Sequence, residues 1–158
     1  MKVYSEIKKK LKDNGFKVTP QRVTVFEALT SLNHPTADQV MVYVRRNHPG
    51  VATGTVYHIL ESFVERGLIR KVKTDRDIMR YDAIAENHHH LYCASCDVIV
   101  DYFDEELDEL LDNYFKKKRI PNFSVSDMKL QIVGKFTNDP VDEHGNCISA
   151  KNPEKINP

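Results

Sequence analysis

An uneven distribution of charge, which divides the chain after Ala83, is the strongest constraint on the fold. Residues 1–83 contain 15 lysines and arginines against 9 aspartates and glutamates, whereas residues 84–158 contain 8 against 14. The whole chain is neutral although its two halves have opposite charge. This asymmetry predicts two domains with different partners, and the basic half is the candidate for binding a polyanion.

The basic half has the pattern of a winged helix-turn-helix domain. A lysine-rich helix begins at Ser5, helix-start signals follow at residues 19–20, 35–36 and 53, and two basic strands come last. In such a domain one helix enters the major groove of double-stranded DNA and the hairpin meets phosphates. The alternative for each single residue is a solvated charge, or simple packing for Tyr57. The candidate base-reading residues are Thr55, Tyr57 and His58, and the candidate phosphate contacts are Arg22, Arg70, Lys71, Lys73 and Arg76.

The acidic half has the pattern of a small α/β domain. Residues 90–92 and 98–102 are predicted strands, residues 105–115 a helix, and residues 123–136 a long strand. The helix is predicted to turn four apolar side chains inward: Leu107, Leu110, Leu111 and Tyr114. A domain of about 50 residues buries too little surface to be very stable alone, so a partner chain is expected. The fold class of the whole chain is therefore α+β.

Residues 82–101 contain three histidines, two cysteines and two flanking carboxylates. A thiolate pair suits zinc, whereas imidazoles mixed with carboxylates suit iron, manganese or zinc. Strand alternation places His88 and His90 on one face and His89 on the other. Two overlapping metal-binding chemistries are therefore predicted in one short stretch.

Composition narrows the other classes of function. No segment approaches the roughly 18 apolar residues of a membrane span, and the amino terminus has no apolar leader, so a cytoplasmic protein without membrane partners is expected. A metal-dependent enzyme is a weaker hypothesis because the chain has no glycine-rich phosphate loop, H-E-x-x-H or nucleophile–base pattern. A redox protein that used Cys93 and Cys96 would need a strand–helix junction to lower the thiol pKa. This pair lies between two predicted strands, so a redox function is also a weaker hypothesis.

Six short motifs make the chain similar to the ferric uptake regulator family over roughly residues 5–134. They occur in the order and at the spacing of that family. The resemblance implies a winged-helix domain at residues 1–83, a dimerisation and metal-binding domain at 84–138, and a tail at 139–158. It also implies a homodimer that binds a palindromic DNA operator, with a metal at the hinge. The motifs are Thr19-Pro-Gln-Arg22, His34-Pro-Thr-Ala-Asp38, Thr55-Val-Tyr57, Arg80-Tyr-Asp82, His88-x-His90, and Cys93-x-x-Cys96 followed by Asp101.

The resemblance implies a regulatory metal site with five ligands, holding Fe²⁺ or Mn²⁺. Aspartate at position 101 resembles the peroxide-sensing branch, in which bound Fe²⁺ reduces peroxide and a ligand histidine is oxidised; the matching positions are His34 and His88. An iron- or zinc-uptake regulator that ignores peroxide is the alternative. A second regulatory site is not predicted, since His89 and Met128 occupy positions that need an acid and a histidine. The implied ligands are His34, Asp82, His88, His90 and Asp101.

The resemblance also implies a structural zinc ion held by two C-x-x-C pairs, but only the first pair is present. The second pair would fall at Phe136 and Asp139, and phenylalanine cannot bind zinc. Either the site is absent and Cys93 and Cys96 are a free or redox-active pair, or His144 and Cys147 in the tail supply the missing ligands. The sequence leaves both alternatives open.

Overall fold

A computed structural model of the chain describes residues 2–137, so His144 and Cys147 lie outside the described part. The chain divides into two compact units between Ala85 and Glu86. The first unit contains four helices followed by a two-stranded hairpin, and the second contains three strands and one helix, which makes the protein α+β. None of the helices in residues 2–137 is long and apolar enough to cross a membrane.

The first unit has the order of elements expected of a winged helix-turn-helix domain. Thr19 caps the second helix by accepting a hydrogen bond from the Arg22 N–H, and Thr36 forms a capping box with Gln39, so these two predicted helix starts are confirmed. The fourth helix begins at Thr53 as predicted, without a side-chain cap. Apolar side chains from all four helices form one continuous core. The elements are α1 Lys2–Asp13, α2 Pro20–Ser31, α3 Ala37–Asn47, α4 Thr53–Glu65, β1 Arg70–Lys73 and β2 Met79–Asp82.

The core of the first unit centres on aromatic rings packed edge to face. Phe63 is fully buried on α4, and its ring centroid lies 5.0 Å from that of Phe16 and 6.1 Å from that of Phe26. Edge-to-face packing at these distances adds to the free energy gained by burying the rings. These contacts fix α4 against α2 and against the connection between α1 and α2, and the opposite side of α4 remains exposed.

The hairpin of the first unit is extended by a short connection between α2 and α3. Strands β1 and β2 pair antiparallel, with Arg70 opposite Asp82. Thr36 forms an isolated antiparallel bridge with Arg80, and the Tyr81 N–H donates to the Pro35 carbonyl at 3.0 Å. The residues just before α3 are thus held directly against β2.

The second unit is a three-stranded sheet in the order β4-β3-β5, accompanied by one helix. β3 pairs antiparallel with β4, which places His90 opposite Asp101, and it pairs parallel with β5, which places Cys93 opposite Gly134. Asp104 caps the helix by accepting a hydrogen bond from the Leu107 N–H at 3.1 Å. The elements are β3 His89–Cys93, β4 Val98–Tyr102, α5 Glu105–Lys118 and β5 Gln131–Gly134.

Two predictions for the second unit were wrong. No residue of α5 is buried, and Leu110 and Tyr114 are 63% and 51% exposed, because the described residues of the chain provide no surface that covers them. The strand predicted over residues 123–136 is limited to Gln131–Gly134. β3 is only five residues long and offers ladder partners from His90 to Cys93, so a longer β5 would have nothing to pair with.

Candidate metal centre

Three buried side chains that can bind a metal converge in the second unit. The Nε2 atoms of His88 and His90 lie 3.1 Å apart. Asp101 Oδ1 lies 3.4 Å from Nε2 of His88 and 3.8 Å from Nε2 of His90. All three residues are almost completely excluded from solvent. The pairing of β3 with β4 produces this arrangement, since it sets Asp101 directly across the ladder from His90.

The hydrogen bond at the other nitrogen of His88 fixes its tautomer. Nδ1 of His88 lies 2.8 Å from the Glu86 carbonyl oxygen, which can only accept, so Nδ1 carries a proton, and in the neutral ring Nε2 presents the lone pair. Metal-binding histidines characteristically donate their second N–H in this way. A lone pair aimed at a second imidazole and a carboxylate is a good environment for a divalent cation.

The first unit contributes a second, smaller group of potential ligands. His34 and Asp82 are both buried, and a ligand nitrogen of His34 lies within 4.8 Å of a carboxylate oxygen of Asp82. Nδ1 of His34 is 2.9 Å from Asn33 Oδ1, an acceptor, so Nδ1 carries a proton, and in the neutral ring Nε2 of His34 again presents the lone pair. Asp82 Oδ1 accepts the Ile84 N–H at 2.8 Å. The five predicted ligands are therefore found as one group of two and one group of three.

His89 faces away from these groups and has its own partners. The Leu130 N–H donates to Nδ1 of His89 at 3.1 Å, and Nε2 of His89 lies 3.0 Å from Asp108 Oδ1. Asn87 also donates to Asp108 Oδ1, at 3.0 Å. His89 thus connects β3 to α5 and to the start of β5. Sequence reasoning missed Asp108 and Asn87, and the only available signal was the acidic first turn of α5.

Cys93 is the last residue of β3, and Cys96 lies in the turn between β3 and β4. Cys93 is buried, with Sγ 3.2 Å from Ser95 Oγ, and Cys96 is half-buried. Phe136, two residues beyond the strand residue paired with Cys93, lines the same pocket as Cys93. The position at which a second pair of cysteines was expected is therefore close to Cys93, but it holds an aromatic ring with no metal-binding atom. Asp139 lies outside the described residues.

The candidate base-reading residues project from the exposed side of α4. Thr55, Tyr57 and His58 are exposed, whereas the residues on the other side of the helix enter the core. Such a helix, with a buried apolar side and an exposed side of hydroxyl and ring groups, has the features needed to contact base edges. The buried residues are Val56, Ile59, Leu60 and Phe63.

Several candidate phosphate contacts already have partners within the first unit. Arg22 donates to the Lys17 carbonyl at 2.9 Å and lies over the Phe16 ring. Lys71 pairs with Glu61 at 2.8 Å, and this hydrogen bond raises the pKa of Lys71 above its ordinary value.

Lys73 pairs with Asp77 at 3.1 Å, although both side chains are largely exposed. Arg70 and Arg76 are also exposed. Phosphates would therefore compete with internal acceptors for Arg22, Lys71 and Lys73. The sequence analysis singled out none of these competing groups, which are the Lys17 carbonyl, Glu61 and Asp77.

Comparison with known proteins identifies the family. The model of the Ferric uptake regulator family matches residues 13–133. The peroxide operon regulator of Bacillus subtilis is 34% identical over 125 residues, which cover 78% of this chain and 84% of that protein. Both comparisons extend across the two compact units.

Solved structures agree with the sequence comparisons. The peroxide stress regulator of Campylobacter jejuni superposes with a TM-score of 0.66 at 25% identity, covering 86% of this chain and 97% of that one. The ferric uptake regulator of Francisella tularensis, solved with iron, gives a TM-score of 0.64 at 25% identity, covering 78% and 93%. Since one family model spans most of the sequence and the folds correspond, the chain belongs to the ferric uptake regulator family.

Proposed function

We propose that this protein is a metal-dependent transcriptional repressor that responds to peroxide. Proteins of the family are dimeric DNA-binding regulators. We propose further that this chain binds a palindromic double-stranded operator as a homodimer when its regulatory metal is bound. The role is regulatory and not enzymatic, because the chemistry takes place on the protein's own side chains.

The observation that carries the proposal is the fixed tautomer of two histidines. His34 and His88 each donate Nδ1–H to an oxygen of a neighbouring residue, which leaves Nε2 of both rings available as a lone-pair donor. Buried carboxylates accompany each ring, Asp82 in the first unit and Asp101 in the second. Buried imidazoles with this tautomer and with adjacent acids are arranged as ligands and not as core residues.

We propose that one ion is bound by both groups together. The first unit would provide His34 and Asp82, and the second would provide His88, His90 and Asp101. An ion bonded to both units holds them at one relative angle and stabilises that arrangement by the difference in binding free energy between arrangements. In a dimer, one fixed angle places the two α4 helices at one spacing, which matches the two half-sites of an operator.

Three imidazoles and two carboxylates suit Fe²⁺ or Mn²⁺, because five ligands leave one position of a six-coordinate ion open, whereas zinc prefers four. When bound, Fe²⁺ supplies the electron that begins the reduction of peroxide. The net change on the protein is transfer of one oxygen atom to the imidazole of His34 or His88, with release of one water. An oxidised ring no longer presents its lone pair, so the ligand group loses a member and DNA binding weakens.

The test compares Fe²⁺-loaded and Mn²⁺-loaded protein prepared without oxygen. Each sample receives one equivalent of hydrogen peroxide, and DNA binding and peptide masses are then measured. We expect the iron sample alone to lose DNA binding and to gain one oxygen atom in the peptide containing His34 or His88. Intact DNA binding and unchanged masses in the iron sample would leave an iron- or zinc-uptake regulator as the function.

We also propose a structural zinc ion bound by Cys93 and Cys96, with His144 and Cys147 as the remaining ligands. The support is chemical: Phe136 lies beside Cys93 and offers no donor atom, whereas H-x-x-C in the tail is a suitable zinc half-site. Zinc per chain is measured in the wild type and in Cys147→Ser, with Ser149→Ala as the control. Equal zinc content in the wild type and Cys147→Ser excludes the tail, and no zinc in either leaves Cys93 and Cys96 as a thiol pair.

A further inference from the structure

Two of the sequence motifs meet at the backbone of His34. The segment His34-Pro35-Thr36 precedes α3, and Arg80-Tyr81-Asp82 forms the end of β2. The Tyr81 N–H donates to the Pro35 carbonyl at 3.0 Å, and Thr36 bridges Arg80. Arg80 adds a side-chain bond, since its Nη1 donates to the His34 carbonyl at 3.2 Å. Three successive residues of the loop are therefore attached to β2.

His34 needs this attachment because its backbone is strained. Its φ is 42°, in the left-handed region that non-glycine residues seldom adopt, although histidine does so more often than most. Such conformations persist only where surrounding contacts hold them, and they are concentrated at functional sites. If the carbonyl of His34 were released, the peptide would relax, and the ring with its Nε2 lone pair would turn away from Asp82.

A phosphate contact is the simpler role for a basic residue on the hairpin. Arg80 differs from the exposed Arg70 and Arg76 because it is half-buried and its guanidinium contacts the backbone of the loop. A planar guanidinium with several fixed donors is well suited to holding a carbonyl in one position. The geometry of Arg80 thus favours a contact inside the unit.

We propose that Arg80 is a positioning residue for the regulatory metal: it holds the strained backbone of His34 so that the ring can act as a ligand. The inference rests on the proposed function, in which His34 and Asp82 bind the ion. β2 then contains both a ligand, Asp82, and the support of a second ligand, His34.

The test measures Mn²⁺ affinity of the full-length protein without DNA, so that lost phosphate contacts have no effect. Arg80→Met keeps the length of the side chain and removes its donors. We expect Mn²⁺ to bind about 10-fold to 100-fold more weakly, the range for losing a residue that supports a metal ligand. Arg76→Met is the matched control, since it removes the same charge from the turn of the same hairpin and should leave the affinity unchanged.

The Mn²⁺ affinities of Arg80→Met and His34→Ala, each compared with the wild type, separate failure of the inference from failure of the proposed site. Wild-type affinity in Arg80→Met overturns the positioning role. Wild-type affinity in His34→Ala overturns the assignment of His34 as a ligand, and the positioning role with it. If His34→Ala weakens binding and Arg80→Met does not, the proposed metal site survives and only the inference about Arg80 fails.

The thermal unfolding midpoint of the metal-free proteins shows whether each variant folds. If Arg80→Met does not fold, Arg80→Lys replaces it with Arg76→Lys as the control, because lysine keeps the charge but not the planar set of donors. Weaker Mn²⁺ binding in Arg80→Lys than in Arg76→Lys supports the positioning role. Equal binding in these two variants overturns it.

Discussion

The two units of the chain use their interiors differently. In the described residues, every member of the hydrophobic core cluster lies between Ile7 and Ala83, in the first unit. Among the described residues the second unit buries only a few hydrophobic side chains, and as many polar ones are buried beside them: His88, His89, His90 and Asp101. The first unit is thus stabilised mainly by apolar burial, whereas the interior of the second contains polar and apolar groups in similar number.

The second unit also exposes several apolar side chains on its surface. Leu110, Tyr114, Ile132 and Val133 are all exposed, although they are apolar and lie on α5 and β5. Large exposed apolar side chains concentrated in two elements of a small unit are typical of an interaction surface. In a family of dimeric regulators, a second copy of the chain is the expected cover, and the second unit gains from assembly the burial that the first obtains alone.

The largest effect on folding stability is expected from a substitution in the apolar interior of the first unit. Phe63→Ala removes a fully buried ring from the centre of the core and should destabilise the protein by about 3–5 kcal/mol. Leu110→Ala removes an exposed side chain of α5, so it should cost little within one chain and instead weaken dimerisation. Denaturant unfolding and analytical ultracentrifugation measure the two effects. Equal losses of folding stability in the two variants would invalidate the comparison.

The next largest effect is expected from removing a polar side chain from the interior of the second unit, which tests whether these groups serve metal binding and not stability. Asp101→Ala should weaken Mn²⁺ binding by at least about 100-fold, because losing a residue that merely supports a ligand already weakens metal binding by up to about that factor. The same variant should lose metal-dependent DNA binding. The fold should remain largely intact by circular dichroism. Asp112→Ala, which removes an exposed acid from α5, is the control. Normal DNA binding by metal-free Asp101→Ala would contradict the hinge model.

A smaller effect concerns the basic surface of the first unit. Glu61→Gln removes the charge that pairs with Lys71 and should raise operator affinity by up to about fivefold, since exposed pairs are worth roughly 0.2–1 kcal/mol. The released cation adds one phosphate contact, so the slope of log K against log salt should steepen by about 0.9. The same change in a Lys71→Gln background should have no effect. A gain in that background would show that Glu61 repels DNA by itself.

The smallest effect concerns the capping of α5, which has no buried residue to hold it. The Tyr102 hydroxyl bond and the Leu107 N–H lower the pKa of Asp104 below its ordinary value of 3.8. The charged cap therefore stabilises the fold above that pH, and its contribution is lost as the pH falls through the lower folded value. Asp104→Asn keeps a capping side chain, so the difference in melting temperature from the wild type should be present at pH 7 and shrink at acidic pH. A pH-independent difference would exclude the charge as its cause.

Local signals in the sequence predicted the first unit better than the second. The starts of α2 and α3 follow from Thr19-Pro20 and Thr36, whose side chains satisfy the first N–H groups of each helix. The apolar spacing of α5 predicts one buried side, but it does not specify whether that side is covered by the same chain or by another. For this reason Leu110 and Tyr114 were placed inward incorrectly.

The candidate site was also only partly predictable. The spacing of His88 and His90 and the chemistry of Asp101 identify ligands from the sequence. The role of Arg80 and the attachment of His89 to Asp108 depend on contacts between residues far apart in the chain. Strain at His34 is equally invisible in the sequence, since left-handed backbone at a histidine has no reliable local signal.

Three consecutive histidines would ordinarily make a chain adhere to an immobilised-nickel column. Here His88, His89 and His90 are 1%, 0% and 5% exposed, so the folded protein has no imidazole from this run available to the resin. Natively folded protein should therefore gain no retention on such a column from these three histidines, whereas chains in which β3 has opened should be held more strongly than the exposed His58 alone would hold them. Retention on nickel would give a simple assay for unfolding of the second unit during purification.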